Sequence, residues 1–171
     1  YHLVYNNVFG VRACALRLTN VYGPRQLLRH NRQGFIGWFI RLVLEDKEIQ
    51  VFGDGSQIRD FVYVDDAVEA FLAAGATDAV NGEAFNVGGE EHISHRDLVT
   101  MLVDLAGSGR YTFVEWPPEK KAIDIGSFYA DSSLFRSRTG WTPRVALRDG
   151  FTRTFDYYRK HLQHYVGHGS V

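Results

Sequence analysis

The chain has 171 residues and a formal net charge of −1, enough for one domain with a real core and without the basic excess of a nucleic-acid or anionic-membrane binder. Hydrophobic residues are 45% and charged residues 23%, the balance of a folded globular protein. The lone cysteine, Cys14, excludes an internal disulfide framework and fits a reducing, cytoplasmic setting. No apolar run reaches the length of a membrane span, and no signal-peptide pattern opens the sequence.

Residues 1–9, YHLVYNNVF, read as the end of a helix stopped by Gly10, with no cap ahead of Tyr1. Residues 11–18, VRACALRL, are almost continuously apolar, as in a strand buried on both faces of a parallel sheet, with Arg12 and Arg17 at its ends. The basic and amide-rich loop 19–34 comes directly after, and open α/β sheets place ligands in such loops. Residues 35–46 carry Ile36, Phe39, Ile40 and Val43 on one helical face. Trp38 is expected to pack there and not to act as a stacking platform.

The stretch 49–66, IQVFGDGSQIRDFVYVDD, reads as strand, turn, strand and helix start. Gly53-Asp54-Gly55-Ser56 is turn chemistry. Phe61, Val62, Tyr63 and Val64 favour a strand, and Asp65 and Asp66 are suitable caps for the apolar-periodic segment after them. An arginine, Arg59, beside an aromatic residue and a glycine turn suits a flat base and a diphosphate. The same residues also read as a plain hairpin with a surface Arg59–Asp60 pair.

A helix over 66–76 is expected to turn Val68, Phe71 and Leu72 inward. Residues 84–89 read as a strand ending in a glycine turn. Ser94 caps a helix whose stripe is Leu98, Met101, Leu102 and Leu105, stopped by Gly107 and Gly109. A strand over 111–116 ends at Pro117-Pro118, and a loop over 119–131 carries Lys120, Lys121, Asp124 and Asp131. Residues 140–143 form a turn. A last helix over about 147–165 aligns Leu147, Phe151, Phe155, Tyr158 and Leu162, and the tail after Tyr165 is expected to fray. Strands alternating with helices predict an α/β architecture.

The chain contains no GxGxxG, P-loop, HExxH, CxxC or GxSxG motif, so neither a dedicated metal site nor a nucleophile elbow is expected. His161, His164 and His168 read as solvated.

Four segments carry a resemblance: LRLTNVYGPRQ (16–26), VFGDGSQIRDFVYVDDAVEAF (51–71), AFNVGG (84–89) and GWTP (140–143). In this order they resemble the C-terminal half of the extended short-chain dehydrogenases/reductases, the NAD-dependent nucleotide-sugar epimerases and dehydratases. The resemblance implies an α/β fold: the last part of a Rossmann-like parallel sheet (1–22 and 60–89) plus a small α/β sugar-nucleotide-binding subdomain (23–59 and 90–171). The family's glycine-rich NAD turn and its Tyr-x-x-x-Lys lie upstream of these motifs, so the chain reads as a fragment. As such it is expected to be inactive alone, with a dimer weak or absent, although the resemblance leaves a homodimer open to a full-length protein.

The implied function is the sugar-nucleotide-binding portion of an enzyme like UDP-glucose 4-epimerase. The alternatives are a dTDP-glucose 4,6-dehydratase-like or UDP-glucuronate decarboxylase-like enzyme, or a non-catalytic sugar-nucleotide-binding or assembly module. In the family NAD takes a hydride from C4 of the sugar while the tyrosine takes the hydroxyl proton, and the protein supplies orientation. The implied partner is a nucleotide-diphosphate sugar such as UDP-glucose, with neither nucleic acid nor membrane.

Residue by residue, the resemblance puts Asn20 near the diphosphate, and Leu18 and Val21 by the nicotinamide ring of NAD. The Gly34-Phe35 helix entrance meets nucleotide through backbone groups, which helix N-termini favour for anions. Gln50 and Phe52 line the nucleoside, Phe52 against the base, and Arg59 grips the diphosphate. The family's later Arg-x-x-Asp is here Lys121 and Asp124, a point charge in place of a bidentate donor. Ile125-Gly126-Ser127 stand where many relatives carry basic residues. Arg25, Arg29 and Arg32 are candidate substitutes for that missing charge, each also readable as a solvated side chain.

Overall fold

The computed structural model describes residues 1–166, the side chain of Gln33 excepted. In chain order the elements are α1 (His2–Phe9), β1 (Ala15–Leu18), β2 (Asn20–Tyr22), α2 (Phe35–Leu44), β3 (Glu48–Phe52), β4 (Ile58–Tyr63), α3 (Val64–Gly75), β5 (Ala84–Val87), β6 (His92–Ser94), α4 (His95–Ala106), β7 (Arg110–Val114), α5 (Pro118–Lys121), α6 (Ser133–Thr139) and α7 (Leu147–Val166). β1 pairs with β5 and β3 with β7, both in parallel, and a third sheet has the order β2-β4-β6. The α/β class expected from the alternation is the class observed.

The chain divides into two units. Unit 1 comprises Tyr1–Val21, Asp60–His92 and Tyr129–Val145; unit 2 comprises Tyr22–Arg59, Ile93–Phe128 and the segment from Ala146 onward.

In unit 1, Gly10 stops α1 in the left-handed conformation (φ 66°), as its position suggested. The expected strand 11–18 is shorter, Ala15–Leu18. It is not buried on both faces, since Arg17 is exposed and its neighbours are half-buried. The unit's core gathers Val62, Val80, Phe85, Val87, Phe135 and Trp141 around three alanines of α3, Ala67, Ala70 and Ala74.

That alanine face corrects the inward placement of Val68, Phe71 and Leu72, which are 50%, 56% and 61% exposed. Small side chains let the helix lie close against bulky Phe85 and Trp141. Asp65 and Asp66 are likewise not caps, because the N-cap of α3 is Tyr63, without a side-chain bond. Asp66 is buried, and its two carboxylate oxygens accept the backbone N–H groups of Arg144 and Val145, both at 3.0 Å. It braces the turn after Gly140, whose Trp141 donates its indole N–H to the Asp66 carbonyl at 3.0 Å.

In unit 2, β3 is not half of a hairpin. It pairs with β7, while β4 pairs with β2 and β6, so 49–66 sends its two strands to different sheets. Gly53 and Gly55 of the intervening turn have φ of 71° and 74°, and a Cβ on Gly53 would meet Trp116 Nε1 at 2.5 Å. Ser94 caps α4 as expected, accepting the Asp97 N–H at 3.0 Å while donating to the Asp97 carboxylate at 2.7 Å. α7 buries Leu147, Phe151, Phe155 and Tyr158. The loop expected over 119–131 begins with the helical turn α5; in unit 1, α6 is a helix the sequence pattern did not announce. The frayed tail expected after Tyr165 falls, beyond Val166, outside the described residues.

Candidate functional site

A cavity of about 550 Å³ opens within unit 2. Its floor follows from strand alternation. Ile49 and Val51 are buried, and β3 presents Glu48, Gln50 and Phe52 to the cavity in a row, with Val51 also reaching its wall. A second wall is the start of α2. Ile36, Ile40 and Val43 point into the core, leaving Phe35, Trp38 and Phe39 on the cavity side, with Phe35 and Phe39 edge to face at 5.3 Å. Trp38, expected simply to pack, is half-buried and lines the cavity, with the Arg41 guanidinium 5.4 Å from its ring centre. The segment after β7 closes a third side with Trp116, whose ring lies 5.3 Å from that of Phe52.

The remaining lining is polar. Arg59 is held by two backbone carbonyls: Nη1 donates to the Ile58 carbonyl at 2.8 Å and to the Gly126 carbonyl at 2.6 Å. Its Nε and Nη2 donors have no protein partner among the described residues. The surface Arg59–Asp60 pair is absent, because Asp60 is fully buried and its Oδ2 accepts the Ala130 N–H at 3.2 Å. Residues 125–127 brace this strand. Gly126 accepts from Arg59, and the Ser127 hydroxyl accepts the Ile58 N–H at 3.0 Å. Asp124 accepts from the Gln57 amide at 2.6 Å and lies 3.8 Å from the Lys121 ammonium.

His95, the first residue of α4, completes this side. Its backbone N–H donates to the Gln57 carbonyl at 2.9 Å, and its ring sits 5.0 Å from that of Phe35. Burial, reinforced by the positive charge of Arg59 and opposed by Asp124, holds the imidazole pKa down to about 4. The ring is therefore neutral at pH 7, and its Nε2 is buried without a hydrogen-bond partner among the described residues.

Of the residues singled out in the sequence, Phe35, Gln50, Phe52, Arg59 and Asp124 all line this one cavity. Gly34 is the N-cap immediately before Phe35, at φ 118°. Lys121 is not a lining residue, whereas its neighbour Lys120 is. Asn20, Leu18 and Val21 belong to unit 1. Asn20 donates its amide to the Asp60 carbonyl at 2.9 Å, and Leu18 and Val21 pack against the unit 1 core. Arg25, Arg29 and Arg32 are exposed. Sequence reasoning missed Gln57, His95 and Trp116. Gln57 had a signal, since i and i+2 in an extended segment share a side with Arg59; nothing local marks His95. Among the described residues no group of three metal-ligating side chains converges, and His168 lies outside them. No described helix is long and apolar enough to cross a membrane.

Comparison with known proteins adds an independent line. The sequence profile of the NAD dependent epimerase/dehydratase family matches residues 1–88. The UDP-glucose 4-epimerase of Mycolicibacterium smegmatis is 34% identical over 95% of this chain and 50% of its own length. The dTDP-glucose 4,6-dehydratase of Streptomyces griseus is 31% identical, over 93% and 46%. Among solved structures, UDP-glucose 4-epimerase from Thermotoga maritima with UDP-glucose superposes with a TM-score of 0.82 at 30% identity, covering 93% of this chain and 50% of that one. UDP-glucuronic acid 4-epimerase from Bacillus cereus, in complex with UDP-glucuronic acid and NAD, gives 0.76 at 35% identity, over 92% and 48%. The chain thus spans about half the length of these relatives.

Proposed function

We propose a function from one premise: the chain belongs to the NAD-dependent epimerase/dehydratase family. Unit 2 is the sugar-nucleotide-binding part of such an enzyme, and unit 1 a part of its NAD-binding domain. The cavity takes the nucleoside diphosphate. Phe52 offers a ring face to the base, Gln50 beside it offers an amide to the base edge, and Arg59 holds the diphosphate. The observation that carries this is Arg59. Two backbone carbonyls fix its guanidinium, while among the described residues Nε and Nη2 have no partner beside an aromatic cavity. A fixed fork with free donors suits paired phosphate oxygens. The Asp124 carboxylate is taken by the Gln57 amide at 2.6 Å and not by Arg59.

UDP-glucose is the proposed ligand and 4-epimerisation the proposed reaction, in line with the relatives that act on UDP-sugars. NAD, when bound, accepts and returns hydride. Leu18, the last residue of the parallel strand β1, and Val21, in β2, are half-buried in unit 1 and are apolar contacts suited to a nicotinamide ring. The chain has no glycine-rich turn for the dinucleotide diphosphate, so the fit is confined to that end.

Titration calorimetry of the intact protein with UDP-glucose tests the reading. Arg59→Ala should weaken binding about ten- to a hundredfold, since a hydrogen bond to a charged group contributes roughly 1.5–3 kcal/mol. Arg59→Lys should recover only part of that loss. If Arg59→Ala binds as well as the parent, the diphosphate is elsewhere.

A further inference from the structure

Two adjacent lysines come after Pro117-Pro118, and the fold separates their surroundings. Pro118–Lys121 forms one helical turn, in which the backbone N–H groups of Lys120 and Lys121 both donate to the Pro117 carbonyl, at 3.0 and 2.9 Å. Successive side chains on a helical turn point in different directions, so the two ammonium groups meet different neighbours. Lys121, whose spacing to Asp124 fits the sequence motif, lies 3.8 Å from that carboxylate, with its ammonium 5.2 Å from the Trp116 ring centre. Lys120 lines the cavity, its ammonium 4.5 Å from the Phe52 ring centre, and it has no carboxylate partner among the described residues.

We propose that Lys120 is the second cation of this site: it covers the face of Phe52 until a base takes that face, and then moves to a phosphate of the ligand. This rests on the reading of the cavity as a nucleoside diphosphate site. One aromatic face holds one partner at a time. An ammonium over an exposed ring is a weak contact, and a stacked base replaces it over a larger area. The flexible four-carbon stem lets the displaced head swing, and a phosphate is its stronger partner. Lys121 is less free to move because Asp124 already neutralises it.

The consequence is a split between ligands with and without phosphate. UDP and uridine are titrated into the intact protein, with calorimetry for UDP and ligand-observed NMR for uridine. The proteins compared are the parent, Lys120→Met and Lys121→Met, the methionine keeping an apolar stem. Lys120→Met should bind UDP about three- to tenfold more weakly, the range of one lost exposed charge contact, and uridine at least as tightly as the parent. Lys121→Met should change both by less than about twofold. The proposal is overturned if Lys120→Met binds UDP like the parent, if it loses uridine and UDP alike, or if Lys121→Met loses as much UDP affinity. A parent that binds no UDP refutes the site itself. A parent that binds UDP, weakened by Arg59→Ala and untouched by Lys120→Met, refutes only the role given to Lys120.

Discussion

Helices α2 and α3 are both rich in apolar side chains, yet they bury opposite kinds of residue. α2, in unit 2, puts large ones inside: Ile36, Ile40 and Val43 are 3%, 0% and 0% exposed. α3, in unit 1, puts alanines inside and leaves Val68, Phe71 and Leu72 at its surface. Periodicity says that a helix has an apolar face. When two faces are apolar, the bulk of the neighbours decides which one goes in. Around α2 there is room for branched side chains. Against α3 stand Phe85, Phe135 and Trp141, which fill the space themselves and admit only a flat face.

The largest effect expected from this contrast is in unit 2. Ile40→Ala should cost about 2–5 kcal/mol of stability, because it opens a cavity where no solvent reaches, as chemical denaturation would measure. A cost under about 1 kcal/mol would show that α2 collapses onto the gap and that its packing is loose. The converse change sharpens the same point in unit 1. Ala70 is fully buried on the flat face, so Ala70→Leu should destabilise by about 1–3 kcal/mol through overpacking. A neutral outcome would mean that the close approach of α3 is not set by its alanines.

The third effect expected depends on pH and also separates the units. Each holds a titratable group whose charged form burial disfavours: Asp60 in unit 1, with its pKa raised, and His95 in unit 2, lowered from 6.5 to about 4. The folded state therefore binds the His95 proton less readily than the unfolded chain does. Its contribution to stability is complete above pH 6.5 and is lost as pH falls from 6.5 toward 4. Replacing the ring by His95→Phe should flatten this limb in denaturation curves taken across that range. An unchanged limb would assign the loss to other groups.

Much of the cavity lining was legible because its residues lie close in sequence. Gln50, Phe52 and Arg59 belong to one strand–turn–strand stretch, and the turn chemistry of Gly53 and Gly55 marked it as special. Local pattern was blind wherever a residue acts on a distant segment. Asp66 looked like a helix cap and is a brace for residues 144 and 145. Lys121 had the motif spacing, yet Lys120 faces the cavity. His95 gave no signal, because its importance comes from Phe35, Gln57 and Arg59 meeting it in space.

What the sequence by itself determined is the order and type of most elements, the turns that punctuate them and the short-range array around Arg59. These arise from propensities, capping and alternation within a few residues. Only the tertiary structure decided that β3 and β4 part company to separate sheets, which face of α3 is buried, and which of two neighbouring lysines lines the cavity. Those outcomes depend on contacts between segments tens of residues apart. A pattern with two acceptable local solutions is resolved only by the volume and hydrogen-bonding groups that the rest of the fold brings against it.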